Sequence, residues 1–106
     1  MDELPTISTH VLDTEQGAPA SGIEVALYRL TADTELEVGV GETDDDGRIR
    51  RLLQTELVEG DYVIEFKLHG PFFGIVALTF RVDDTERSYH VPLLMAPYSV
   101  ASYRGS

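Results

Sequence analysis

Apolar residues recur at every second position along this chain, in short runs that turn-forming residues cut off roughly every ten positions. Successive side chains on a strand point to opposite faces, so a period of two suits a half-buried strand and cannot make the apolar stripe of a helix. Ile7, Thr9 and Val11 alternate with Ser8, His10 and Leu12; Ile23, Val25 and Leu27 alternate with Glu24 and Ala26. The turn-rich Gln16-Gly17-Ala18-Pro19 and Ser21-Gly22 separate these two runs. Leu36, Val38 and Val40 alternate with Glu37, Gly39 and Gly41 up to Asp44-Asp45-Asp46-Gly47, whose Asp-Gly pair signals a tight reversal. Tyr62, Ile64, Phe66 and Leu68 oppose Val63, Glu65 and Lys67, and Val76, Leu78, Phe80 and Val82 repeat the pattern. After the Asp83-Asp84 turn come Tyr89, Val91 and Leu93, and Ala96-Pro97 sets off a last strand through Tyr98 to Tyr103. Only the stretch from Leu52 to Leu57 has a convincing helical period, and being short it reads as a loop or brief strand.

Seven to eight short strands at this spacing predict an all-β fold, an antiparallel β-sandwich, rather than an alternating α/β architecture. The length of 106 residues suits one domain over 1–106, and no repeat, low-complexity tract or linker divides it. Without cysteine there is neither a disulfide framework nor a thiolate nucleophile, so packing must supply the stability. The start, Met1-Asp2-Glu3-Leu4-Pro5, lacks the basic segment and apolar run of a signal peptide, which predicts a cytoplasmic location. Nineteen acidic against eight basic side chains give a formal charge of -11. Such a surface repels phosphate backbones and anionic lipid, which argues against nucleic acid and membrane partners. Any anionic ligand must then meet a local cluster of Arg or His.

Few residues are placed to supply one. His10 is out of phase with Ile7 and Val11, and His90 with Tyr89, Val91 and Leu93, so both imidazoles should leave the core side of their strands. Leu12 shares the side of His10, while Pro92 and Leu94 share that of His90; apolar residues there imply a covered face, read as a subunit interface. The plainer reading is two unrelated surface histidines. Arg48 follows the acidic turn, with Arg50 and Arg51 close by. A guanidinium offers fixed donors to an anionic heterocycle or a developing oxyanion, although charge balance against the turn would explain any one of these arginines. The turn fails as a calcium loop: with Gly47 in the sixth position, the first is Glu42 and the twelfth is Leu53, where a bidentate acid is required. His10, His69 and His90 have no short metal-ligand spacing, His69 sits in a His69-Gly70-Pro71 loop suited to solvent, and a metal-free site is expected.

Four blocks carry a more specific signal. Ser8-Thr9-His10-Val11-Leu12-Asp13-Thr14, Thr43 through Asp46-Gly47-Arg48, Tyr89-His90-Val91-Pro92-Leu93-Leu94 and the terminal Tyr103-Arg104-Gly105-Ser106 resemble, in order and almost end to end, the 5-hydroxyisourate hydrolases of the transthyretin-like family. The resemblance implies a transthyretin-like sandwich, a homotetramer with sites at the dimer–dimer interface, and hydrolytic opening of the 5-hydroxyisourate lactam on the route from urate to allantoin, with no cofactor. It also implies catalytic roles for His10, Arg48 and His90, and substrate binding by His10, Arg48, Tyr103, Arg104 and Ser106; Arg50 and Arg51 inherit none. Which histidine is the base is left open. The stretch between Tyr62 and Phe72 is shorter than the family's, so its short helix should be absent; Gly74 follows Phe72-Phe73 in place of the usual Pro, and Ser102 replaces the usual Thr before Tyr103. The rival reading is a transthyretin-type carrier, binding a hydrophobic ligand in the same channel, which would not need the polar set.

Overall fold

A computed structural model describes residues 4–106; the Met1-Asp2-Glu3 start that entered the reading of location lies outside the described residues. The strands are β1 (Ile7–Asp13), β2 (Ala18–Pro19), β3 (Glu24–Leu30), β4 (Glu35–Glu42), β5 (Arg48–Ile49), β6 (Gly60–Lys67), β7 (Ile75–Val82), β8 (Tyr89–His90), β9 (Leu93–Ala96) and β10 (Ser99–Ser102). One sheet has the order β10-β9-β1-β2, with β5 and β8 also on β1; the other runs β4-β3-β6-β7. The expected sandwich is present, and among the described residues there is no helix. β8 and β9 are one run of the sequence, interrupted at Val91-Pro92 because proline has no N–H for the ladder. β2 and β5 are two-residue pairings at the ends of turns, the second of them just past the Asp-Gly reversal.

The antiparallel expectation holds throughout the second sheet and in the pairs of β1 with β2 and β5. β1 runs parallel to β8 and β9, however. Only a short hairpin forces neighbours antiparallel, and most of the chain separates β1 from β8.

Ile7, Val11, Val25, Leu27, Tyr62, Ile64, Phe66, Val76, Val82, Tyr89 and Leu93 meet between the sheets, as the alternation requires. β4 departs from it. Gly39 pairs with Leu27 but Glu37 with Tyr28, so Val38 is the extra residue of a bulge, where one strand supplies two residues against one. The phase flips there: Val38 is buried, while Val40, which the simple alternation puts on the same side, is 52% exposed. Gly39 and Gly41 face inward instead. A Cβ on Gly39 would collide with the Leu52 carbonyl, and one on Gly41 would touch Ile49. The room they leave is taken by the irregular 52–57 stretch, whose Leu52, Leu53 and Leu57 are core residues and whose Gln54 N–H donates to Val38 O at 2.8 Å.

Between β6 and β7 the chain turns directly, Leu68 and His69 N–H donating to Gly74 O at 2.8 and 3.2 Å. That tight return leaves no length for the family's helix. His69 is exposed at its corner with φ 53°, in the left-handed region.

Candidate active site

The outer face of β1 carries Ser8 and His10, one strand repeat apart, and a two-residue strand brings a partner to each. His10 lies opposite Arg48 of β5, and Ser8 opposite His90 of β8. Residues directly opposite in a sheet share a face, so all four side chains emerge on the side away from the core. Leu12 and Leu94, paired across β1 and β9, extend the same face as half-buried apolar neighbours, and Pro92 lies between, buried.

The acidic turn sets two of these groups. Asp44 Oδ1 accepts hydrogen bonds from the backbone N–H groups of Arg48 and Asp46, both at 2.9 Å, and the Gly47 N–H donates to Asp44 O at 2.9 Å. The Arg48 N–H foremost, with help from that of Asp46, holds the Asp44 carboxyl below the ordinary carboxylate value. Gly47 is buried at φ 77°, and a Cβ there would meet the Val11 carbonyl, so only glycine fits this reversal. The result is that Arg48 leaves the turn facing outward and Asp46 O is aimed at His10, whose Nε2 lies 2.8 Å from it. A carbonyl only accepts, so Nε2 carries a proton, and in the neutral form of the ring Nδ1 is the bare nitrogen.

His90 is held differently. Its Nδ1 is 2.8 Å from Ser8 Oγ and its carbonyl accepts from Gly105 N–H at 2.8 Å. Burial first, then the charge of Arg48 and that of His10, push the imidazole below its usual value of 6.5. The ring is therefore neutral at neutral pH, and Arg48 and His10 are close enough to make its protonation costly.

The terminal tetrapeptide continues past β10 and is pinned to β8. Ser102 Oγ donates to Pro92 O at 2.7 Å, so the hydroxyl kept by the Thr-to-Ser departure is in use. The Arg104 guanidinium lies 4.4 Å from the Tyr89 ring centroid, and its Nε donates to Ser106 O at 2.8 Å. A Cβ on Gly105 would strike the His90 ring, so this position lets the tail lie flat against the imidazole. Tyr103, 58% exposed, and Arg104 join Phe80, Tyr89 and His90 around a cavity of about 270 Å³ that His10 and Arg48 do not line. The tail thus forms part of the wall of that cavity, beside His90. Arg51 instead donates to Leu4 O at 2.9 Å, Arg50 is exposed, and His69 lies on the distant β6–β7 turn. Among the described residues no three His, Asp or Glu side chains converge as metal ligands.

Sequence reading passed over Ser8, Asp44, the Asp46 carbonyl and Gly105. Two of them had a signal: Ser8 has the same phase as His10, and Asp-x-Asp-Gly favours a side chain bonding its own turn.

Against known proteins, the profile of the HIUase/Transthyretin family matches residues 7–105. The 5-hydroxyisourate hydrolase of Deinococcus radiodurans is 41% identical over the whole of both chains. The structure of Klebsiella pneumoniae 5-hydroxyisourate hydrolase superposes with a TM-score of 0.83 at 28% identity, covering 97% of this chain and 100% of that one. Sea bream transthyretin in complex with thyroxine gives 0.85 at 26% identity, over 92% of each. With its sandwich, its four sequence blocks and these full-length likenesses, the chain belongs to the HIUase/transthyretin family.

Proposed function

We propose that this chain hydrolyses 5-hydroxyisourate in urate degradation, through His10, Arg48 and His90. The observation that carries this reading is the convergence of those three side chains on one sheet face, in a chain 41% identical end to end to a protein of that name. Water added across a lactam bond needs a base, a donor set for the oxyanion and a proton for the leaving nitrogen. The bare Nδ1 of His10, with its other nitrogen committed to Asp46 O, is the better base of the two imidazoles. It takes a proton from water as the oxygen attacks the lactam carbonyl, and the carbonyl electron pair moves onto oxygen beside the Arg48 guanidinium. Collapse of that intermediate breaks the C–N bond, and the His10 imidazolium returns the proton to nitrogen. Arg48 also meets the anionic edge of the substrate, Tyr103 forms a wall, and Arg104 orients the tail that presents Ser106.

The half-buried Leu12 and Leu94 beside the polar set support a covered outer face, hence a homotetramer with sites between dimers and residues 1–106 acting as one domain. The absence of cysteine supports a cytoplasmic setting; no helix of the described residues is long and apolar enough to cross a membrane. A carrier channel would have no use for two oriented histidines beside an arginine. The test is the ultraviolet decay of hydroxyisourate freshly made from urate by urate oxidase. The protein should accelerate it, and His10→Ala and Arg48→Ala should each lower kcat at least a hundredfold, on the order expected for a lost base or oxyanion donor. Wild-type rates in either variant would defeat the assignment.

A further inference from the structure

The two histidines differ in what holds them. His10 gives an N–H to a carbonyl, which admits one tautomer; His90 faces a hydroxyl, which can donate or accept. Ser8 is half-buried, and among the described residues His90 Nδ1 is the only hydrogen-bond partner of its Oγ. The backbone leaves neither group free to move away: Tyr89 N–H donates to Thr6 O and Val91 N–H to Ser8 O, each at 2.9 Å, which locks β1 and β8 in register on both sides of the pair. The Gly105 N–H on His90 O and the Gly105 backbone against the ring close the remaining side.

In one arrangement the Ser8 hydroxyl donates to Nδ1, satisfying its own hydrogen and placing the imidazole proton on Nε2. In the other, Nδ1–H donates to Oγ and the hydroxyl hydrogen is left without a protein acceptor. Among the described residues each arrangement leaves one hydrogen without a protein acceptor, Nε2–H in the first and the hydroxyl hydrogen in the second. The first is favoured because His90 lines the open cavity, where water or a ligand can accept that hydrogen, whereas Ser8 does not. From this geometry we infer that Ser8 is a positioning residue: its hydroxyl donates to His90 Nδ1 and thereby makes His90 an Nε2–H donor, the opposite of His10 with its bare nitrogen. Resting on the site proposed above, this divides the labour between the two rings. His10 moves the proton, and His90 gives a hydrogen bond, together with Arg48, to the oxygen on which charge develops. No proton leaves His90, so its neutral ring never has to become an imidazolate.

The experiment is long-range nitrogen–proton NMR on protein carrying nitrogen-15 histidine, at a pH above the titration of His90, for wild type, Ser8→Ala and Ser8→Thr, with turnover measured on the same samples. Wild type should show the Nε2–H pattern at His90. Ser8→Ala should show a mixture of tautomers with kcat lowered roughly five- to tenfold, the loss of one hydrogen bond, and KM little changed. Ser8→Thr, which keeps the hydroxyl, should restore both readouts. An Nδ1–H pattern in wild type, or a His90 spectrum that Ser8→Ala leaves unchanged, would overturn the inference. Full turnover in His90→Ala would instead sink the site reading, a result that the spectra cannot produce.

Discussion

At the scale of single residues, the site works by placing charges where they deny protons to some groups and direct others. His90 is the clearest case, because burial, Arg48 and His10 all push its titration below 6.5. The unfolded chain binds a proton near that value that the folded chain refuses until a lower pH. This residue's contribution to stability is therefore complete above pH 6.5 and is lost as the pH falls through the folded value. Arg48→Gln removes one of the three causes. Ring-proton NMR should show the His90 midpoint moving up toward 6.5, and acidification should cost the variant less stability at this site than it costs wild type. An unmoved midpoint would mean that the Arg48 charge has no hold on the ring. The same scale shows what the sequence could not tell. Its phase placed His10 and His90 outward correctly, yet phase says nothing of which nitrogen is engaged. That depended on a carbonyl and a hydroxyl brought from other segments.

At the scale of elements, β4 marks the limit of reading by alternation. Leu36, Val38 and Val40 look like one face of a strand, and the bulge at Val38 breaks that face by turning Val40 outward and the glycines inward. The two glycines are where the 52–57 stretch passes, and the short helical period of that stretch came to no helix because its leucines are buried from a loop that crosses the strand. Gly39→Ala should thus be far more damaging than its size suggests. Its methyl meets backbone rather than a flexible side-chain tip, and we expect a loss of about 3 kcal/mol or more in urea unfolding, by the usual cost of overpacking a core. A stability within about 0.5 kcal/mol of wild type, the ordinary range for a harmless surface change, would show that the loop moves aside freely. The turn carrying Arg48 was, by contrast, legible as a turn: Asp44-Asp45-Asp46-Gly47 announced a reversal, although the part the Asp44 side chain plays in organising it went unread.

At the scale of the whole molecule, the outer face of the first sheet joins the fold to the proposed assembly. His10, Arg48 and His90 lie beside Leu12 and Leu94, so a partner packed on that face would seal the site from bulk water. Sedimentation velocity should give a tetramer for wild type, and Leu12→Glu should shift it to smaller species with the far-ultraviolet circular dichroism unchanged. A monomeric wild type would remove the interface from the proposal. What the sequence alone determined is local in origin: the period of two, the turns, the side each residue takes wherever no bulge intervenes, and the four blocks that identify the family. Each follows from the backbone geometry of a few neighbouring residues, or from a motif read in one place. Only the tertiary structure decided that β1 lies parallel to β8, that Ser8 meets His90 while His10 meets Arg48, and that an irregular loop fills the core beside two glycines. Those outcomes rest on which strand edges meet across most of the chain, and the alternation of a strand is the same whichever neighbour it finds.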